Sequence, residues 1–109
     1  MVYNKKMDTK LESLVSNWDN ISKKMMFGGT GYLLNGNMVA GVYKNYYILR
    51  LGKERENEAL KNPKFKPLDI TGRAMGGWVM VKGINFSDDA EFSKWLSIAK
   101  KFVKTLPKK

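Results

Sequence analysis

The spacing of apolar residues changes along the chain, and each change marks a different kind of element. Near the start, Tyr3, Met7, Leu11, Leu14, Val15 and Trp18 recur at intervals of three and four, which is one stripe of an amphipathic helix. The spacing predicts a helix over about residues 5–18, with Asn4 as its N-cap and Asp19-Asn20 at its end. From Met25 to Gly52 there is no Pro, Asp or Glu, and β-branched and aromatic residues are frequent. That stretch predicts strands. Asn35-Gly36 supplies the positive φ angles that a two-residue type I′ turn requires. The strands expected are about 24–34, Met38–Tyr43 and Tyr46–Leu51, with Lys44-Asn45 as the second turn, forming an antiparallel meander. Gly28, Gly29 and Gly31 inside the first of these suggest a bulge, a bend or close approach of another backbone.

Period-two alternation puts Met38, Ala40 and Val42 on one face of the middle strand and Val39, Gly41 and Tyr43 on the other. In the third strand Tyr47, Leu49 and Leu51 oppose Tyr46, Ile48 and Arg50. Both faces are largely apolar. Helices are expected on one; the second needs at least partial cover, or it is an interface.

Beyond this stretch, Lys53–Lys61 predicts a short helix with only Ala59 and Leu60 to bury, stopped by Asn62-Pro63. Pro67 opens an extended piece at Leu68–Ile70. A glycine-punctuated loop then enters a strand over Trp78–Val81, and Lys82-Gly83 turns the chain away. Phe92, Trp95, Leu96, Ala99, Phe102, Val103 and Leu106 form the stripe of a last helix. Ser87 or Asp88 caps it, and Asp88-x-x-Glu91 fits a capping box. Early acids and late lysines suit its dipole, and Pro107 ends it. Strands grouped in runs argue for an α+β fold: a single two-layer domain over residues 1–109, α-β(3)-α-β(2)-α, with a mainly antiparallel sheet.

Composition narrows the chemistry. The 109 residues include no Cys and no His. Thiolate nucleophiles, Cys-bound zinc, and Ser-His-Asp or Cys-His catalysis are therefore excluded. Gly28-Gly29-Thr30-Gly31 is followed by a strand rather than by Gly-Lys-Ser/Thr opening a helix, so it is not a phosphate loop. No enzyme activity, metal or cofactor is expected. The N-terminus is polar and no apolar run approaches the roughly 18 residues a membrane span needs, so a cytoplasmic protein without a membrane partner is expected. The net charge of +10 favours polyanions, including nucleic acid. It is spread along the chain, each of five successive segments carrying between +1 and +3. A lysine-rich solvated surface is thus the expectation ahead of a dedicated nucleic-acid face.

Several short motifs occur in order: Lys24-Met25-Met26-Phe27-Gly28-Gly29, Asn35-Gly36-Asn37-Met38, Leu49-Arg50-Leu51-Gly52, Pro67-Leu68-Asp69, Thr71-Gly72-Arg73-Ala74-Met75, Gly77-Trp78-Val79 and Leu106-Pro107. Together, over nearly the whole chain, they resemble the N-terminal domain of the TfoX/Sxy competence regulators. Many bacteria also carry that domain as a small free-standing protein. The resemblance implies a secretion-chaperone-like α-β(3)-α-β(2)-α fold and a role in regulating transcription or competence. Full-length competence regulators carry a second, C-terminal domain that this sequence does not include. Leu68 and Ala74 stand where members often place Met and Pro.

The interaction candidates are Met25, Met26, Phe27, Gly28, Gly29, Arg50, Gly72, Arg73, Met75 and Trp78. Arg73, flanked by glycine, suits either a bidentate grip on a phosphate or carboxylate or a pair with Asp69 that pins its loop. For Arg50 an edge contact or structural pair is expected. Trp78 with Met75, Met25, Met26 and Phe27 offers soft, adaptable surface, though core filling is the commoner use. Tyr43, Tyr46 and Tyr47 beside Lys44 and Arg50 suit base stacking, with cross-strand packing the expectation. The function expected is a non-enzymatic module that binds a protein partner such as a transcription factor and dimerises through its sheet. Direct DNA or RNA binding is the alternative.

Overall fold

The computed structural model describes residues 5–26, 29–68, 76–83 and 88–107. Helix α1 spans Lys5–Val15. Four strands follow, β1 Ile21–Met26, β2 Gly29–Leu34, β3 Asn37–Tyr43 and β4 Tyr46–Arg50. Then come α2 Lys53–Leu60, β5 Phe65–Pro67, β6 Trp78–Lys82 and α3 Asp89–Val103. The strands form one antiparallel sheet in the order β1-β2-β3-β4-β6-β5. The fold is α+β, as expected, with a run of four strands in place of three.

The extra strand comes from the segment expected as one strand over 24–34. It divides into β1 and β2, which pair from Ile21↔Leu34 to Met26↔Gly29. Phe27 and Gly28 lie between them, outside the described residues. Ile21-Ser22-Lys23-Lys24 has no alternating apolar pattern, so β1 could not be seen from periodicity. The expected Asn35-Gly36 turn is present, with φ of 55° and 84°. Lys44 turns the chain again at φ 54°. Helix α1 ends at Val15, earlier than its apolar stripe suggests; Asn4 lies outside the described residues. β5 lies at Phe65–Pro67; of the extended piece expected at Leu68–Ile70, Asp69 and Ile70 lie outside the described residues, and Leu68 donates its N–H to the Trp78 carbonyl at 3.4 Å. The side chain of Asp88 caps α3 by accepting from the Ala90 N–H at 2.9 Å. Glu91, expected to close a capping box, is instead taken up by Lys64 at 2.6 Å.

All three helices pack on one face of the sheet. The core there holds Leu11 and Val15 of α1, Ala59 of α2, and Phe92, Trp95, Leu96, Ala99 and Val103 of α3. They meet Tyr32, Leu34, Tyr47, Leu49, Val79 and Val81 from the strands. In β3 the register with β2 shifts: Tyr32 opposes Ala40, but Leu33 opposes Met38. Val39 is the extra residue of a bulge. It therefore joins Ala40 and Val42 on the helix face, while Met38 moves to the second cluster with Ile48, Leu68 and Met80. Strict alternation predicts the opposite faces for Met38 and Val39, and the bulge reverses them.

Two buried polar links tie α1 to the sheet. The Tyr32 hydroxyl donates to Asp8, and Lys23 reaches the other Asp8 oxygen at 2.8 Å. Its hydrogen bond to Asp8 raises the Lys23 pKa above the usual lysine value, against the cost of desolvation. The Tyr47 hydroxyl donates to the Met7 carbonyl at 3.1 Å. Burial pushes the Tyr47 phenol up to about 12, with Asp89 and Asp8 adding to it.

Candidate functional site

Two motifs far apart in the chain meet at one corner of the sheet. β4 and β6 pair so that Arg50 opposes Trp78, and both side chains leave the face away from the helices. The Gly77 carbonyl accepts from the N–H groups of Leu51 at 2.8 Å and Gly52 at 3.0 Å. The Gly77 N–H donates to Glu56 at 2.9 Å. Gly52 and Gly77 both have φ near +90°, at 86° and 87°. A β-carbon on Gly52 would lie 2.6 Å from the Phe102 ring. Glycine here lets α3 come close enough for Phe102 to reach Arg50.

The Arg50 guanidinium lies 5.1 Å from the centre of the Trp78 ring and 6.0 Å from that of Phe102, within cation–π range of both. Among the described residues no carboxylate comes within ion-pair distance of it. The structural pair expected for Arg50 is thus not found among them. A cleft of about 390 Å³ opens beside it, walled by Gly52, Lys53, Gly76, Gly77, Trp78 and Phe102. A second, of about 330 Å³, lies across Phe102 beside Lys53, Arg55 and Lys101.

The remaining candidates are dispersed. Met25 is 60% exposed, but it sits on β1, four strands from Trp78, about 19 Å at the usual strand spacing. It also lies on the helix side of the sheet, since it opposes Thr30, so the structure does not bring it to Trp78. Gly29 is buried, and a β-carbon there would lie 2.0 Å from the Val42 carbonyl oxygen. Its role is the close backbone approach that a strand glycine suggests. Met26 ends β1 opposite Gly29. Phe27, Gly28, Asp69, Gly72, Arg73 and Met75 lie outside the described residues. The half-buried Trp78 packs on the second cluster and not in the main core.

Among the described residues no three carboxylates group as a metal site, and no helix is long and apolar enough to cross a membrane. A family model described as the TfoX N-terminal domain matches residues 13–103. The chain belongs to that family. Membership marks it as a regulator-type module of the competence class. No curated protein and no solved structure gives a significant match. In this TfoX N-terminal domain, Leu49-Arg50-Leu51-Gly52 and Gly77-Trp78-Val79 are two halves of one corner, which their separation in sequence conceals. In the sequence Phe102 belongs to the apolar stripe of the last helix, and nothing local marks it as the third wall.

Proposed function

We propose that this TfoX N-terminal domain is a non-enzymatic regulatory module that binds a protein partner through the Arg50–Trp78 corner. The observation that carries this is Arg50 itself. Its guanidinium lies within cation–π range of two rings, while its five N–H donors have no carboxylate among the described residues to take them. A partner's carboxylate or backbone carbonyls would complete it. Arg and Trp are also the side chains that most often dominate the energy of protein interfaces. The absence of Cys and His supports a binding role over a catalytic one. Competence-type regulation makes a transcription factor the partner to look for.

A deletion strain complemented with wild-type, Arg50→Ala, Trp78→Ala or the helix-surface control Ser97→Ala tests the reading through its transcript profile. The two corner variants, shown folded by circular dichroism, are expected to leave the profile of the deletion; Ser97→Ala restores it. Full restoration by both corner variants, or no transcript change on deletion, overturns the proposal.

A further inference from the structure

The sheet has a second face that no described helix covers, and its charge is sorted in a way the chain order hides. No residue of the six strands is Asp or Glu. The described carboxylates lie on the three helices, at the cap of α3, or at Asp19 just after α1. The strand register sends Lys24, Arg50, Lys66 and Lys82 to the open face, and Lys44 sits in the β3–β4 turn at its rim. Charge that looks even along the sequence is therefore, among the described residues, mixed in sign on the helical layer and purely basic on the open one.

Aromatic rings accompany those cations. Tyr43 and Tyr46 are opposite each other across β3 and β4, and Lys82 follows Tyr46 in the same row. The Lys44 ammonium lies 5.3 Å from the Tyr43 ring centre, and that of Lys66 lies 4.9 Å from the Tyr46 ring centre. Lys66 also donates to the Tyr46 hydroxyl at 3.0 Å. Both rings are half-buried, packed on Ile48 and Met80. The adjoining row runs Lys24, Gly31, Gly41, Ile48, Met80, Lys66 from one edge of the sheet to the other. Its middle residues are buried, with the Met38 side chain against Gly41 and Leu68 packed with Ile48 and Met80, and a lysine stands at each end beside the tyrosines.

We propose that this open sheet face binds single-stranded nucleic acid, with Tyr43 and Tyr46 as the stacking pair and Lys44, Lys66 and Lys82 holding phosphates. Rings on a flat basic sheet accept any unpaired base, because each base has a π-face, and cations track the backbone. In a duplex the bases stay stacked on one another, so a platform of this kind selects the single strand. An acidic protein segment would use the same lysines but would not need the tyrosine rings. The tyrosine pair shares this face with the Arg50–Trp78 corner but lies about 13 Å from it along β4, and the two proposals rest on different residues and fail independently.

The test is fluorescence anisotropy with a labelled oligo-dT and oligo-U, a duplex of the same length and a poly-glutamate peptide, at about 50 and 200 mM salt. The single strands are expected to bind more tightly than the duplex, with affinity falling steeply between the two salt concentrations. Tyr46→Ala is expected to weaken single-strand binding roughly tenfold, within the range for loss of one stacked base. Tyr46→Phe keeps the ring and the affinity. Lys66→Gln with Lys82→Gln weakens binding and flattens its salt dependence; Lys104→Gln on the helical layer changes neither. Equal affinity for duplex and single strand with Tyr46→Ala unaffected, binding of poly-glutamate alone, or no binding at the lower salt overturns the proposal.

Discussion

Lys23, on the edge strand β1, forms an ion pair of 2.8 Å with Asp8 on α1, whose second oxygen takes the Tyr32 hydroxyl proton in a hydrogen bond. The carboxylate is 2% exposed, while Lys23 keeps about a third of its side chain in water. Asp8 thus ties the first helix to the first hairpin, with Glu12 of the same helix adding a longer contact to Lys23 at 3.4 Å. Removing Asp8 takes a buried acceptor from the Tyr32 hydroxyl, whereas Lys23 keeps Glu12 at 3.4 Å and can turn outward. Asp8→Ala is expected to cost about 2 kcal/mol and Tyr32→Phe about 1 kcal/mol in urea unfolding. A loss below about 0.5 kcal/mol for Asp8→Ala would show that the link is not structural.

High pH should weaken the fold through two groups. Lys23 and Tyr47 both hold their protons more tightly when folded. The stability they add is complete below the unfolded values, near 10, and is lost as pH rises through the folded ones. Stability should fall between about pH 10 and 12. Tyr46 behaves oppositely, since the hydrogen bond from Lys66 lowers its pKa. Tyrosinate absorbance should show Tyr46 ionising early, in a phase missing from Tyr46→Phe, and Tyr47 last, together with unfolding.

Two glycines should separate cleanly. Gly29→Ala would force a β-carbon against the Val42 carbonyl, and neither backbone can yield without parting β2 from β3. A loss of more than about 3 kcal/mol is expected. At Gly76 the nearest heavy atom to an added β-carbon, among the described residues, is in the flexible Lys53 side chain at 3.2 Å. Gly76→Ala should stay within about 0.5 kcal/mol of wild type. Thermal and urea unfolding of the pair decide it.

The corner should be cheap to alter on one side and costly on the other. Arg50→Ala removes half-buried cation–π contacts and should cost about 1 kcal/mol. Phe102→Ala opens space beside Gly52 and should cost about 3 kcal/mol. Similar losses for both would mean that Arg50 serves stability rather than binding.

What could be read in advance followed local chemistry. The stripe of α3, its Asp88 cap and the Asn35-Gly36 turn each depend on neighbours within a few residues, and all three are present. The misreadings came where distant pairing decides. β1 has lysines at its centre and forms because β2 offers it a partner. The bulge at Val39 reverses two side chains because β2 sets the register, which no period-two count can show. The Arg50–Trp78 corner is visible in the sequence as two motifs but not as one place, and the basic face is hidden because charge along the chain does not reveal how the layers sort it.

The sheet order also says how the molecule should open. β1 to β4 join each neighbour through short connections, whereas β6 must find β4 across all of α2 and β5, and β5 pairs with β6 alone. Local pairings form early and distant ones late. The unit made of α2, β5 and β6 should then be the last to dock and the first to detach. Its amides would exchange with solvent before those of β2 and β3, and every such opening would take Trp78 away from Arg50. The stability of that half sets the fraction of molecules in which the corner is assembled.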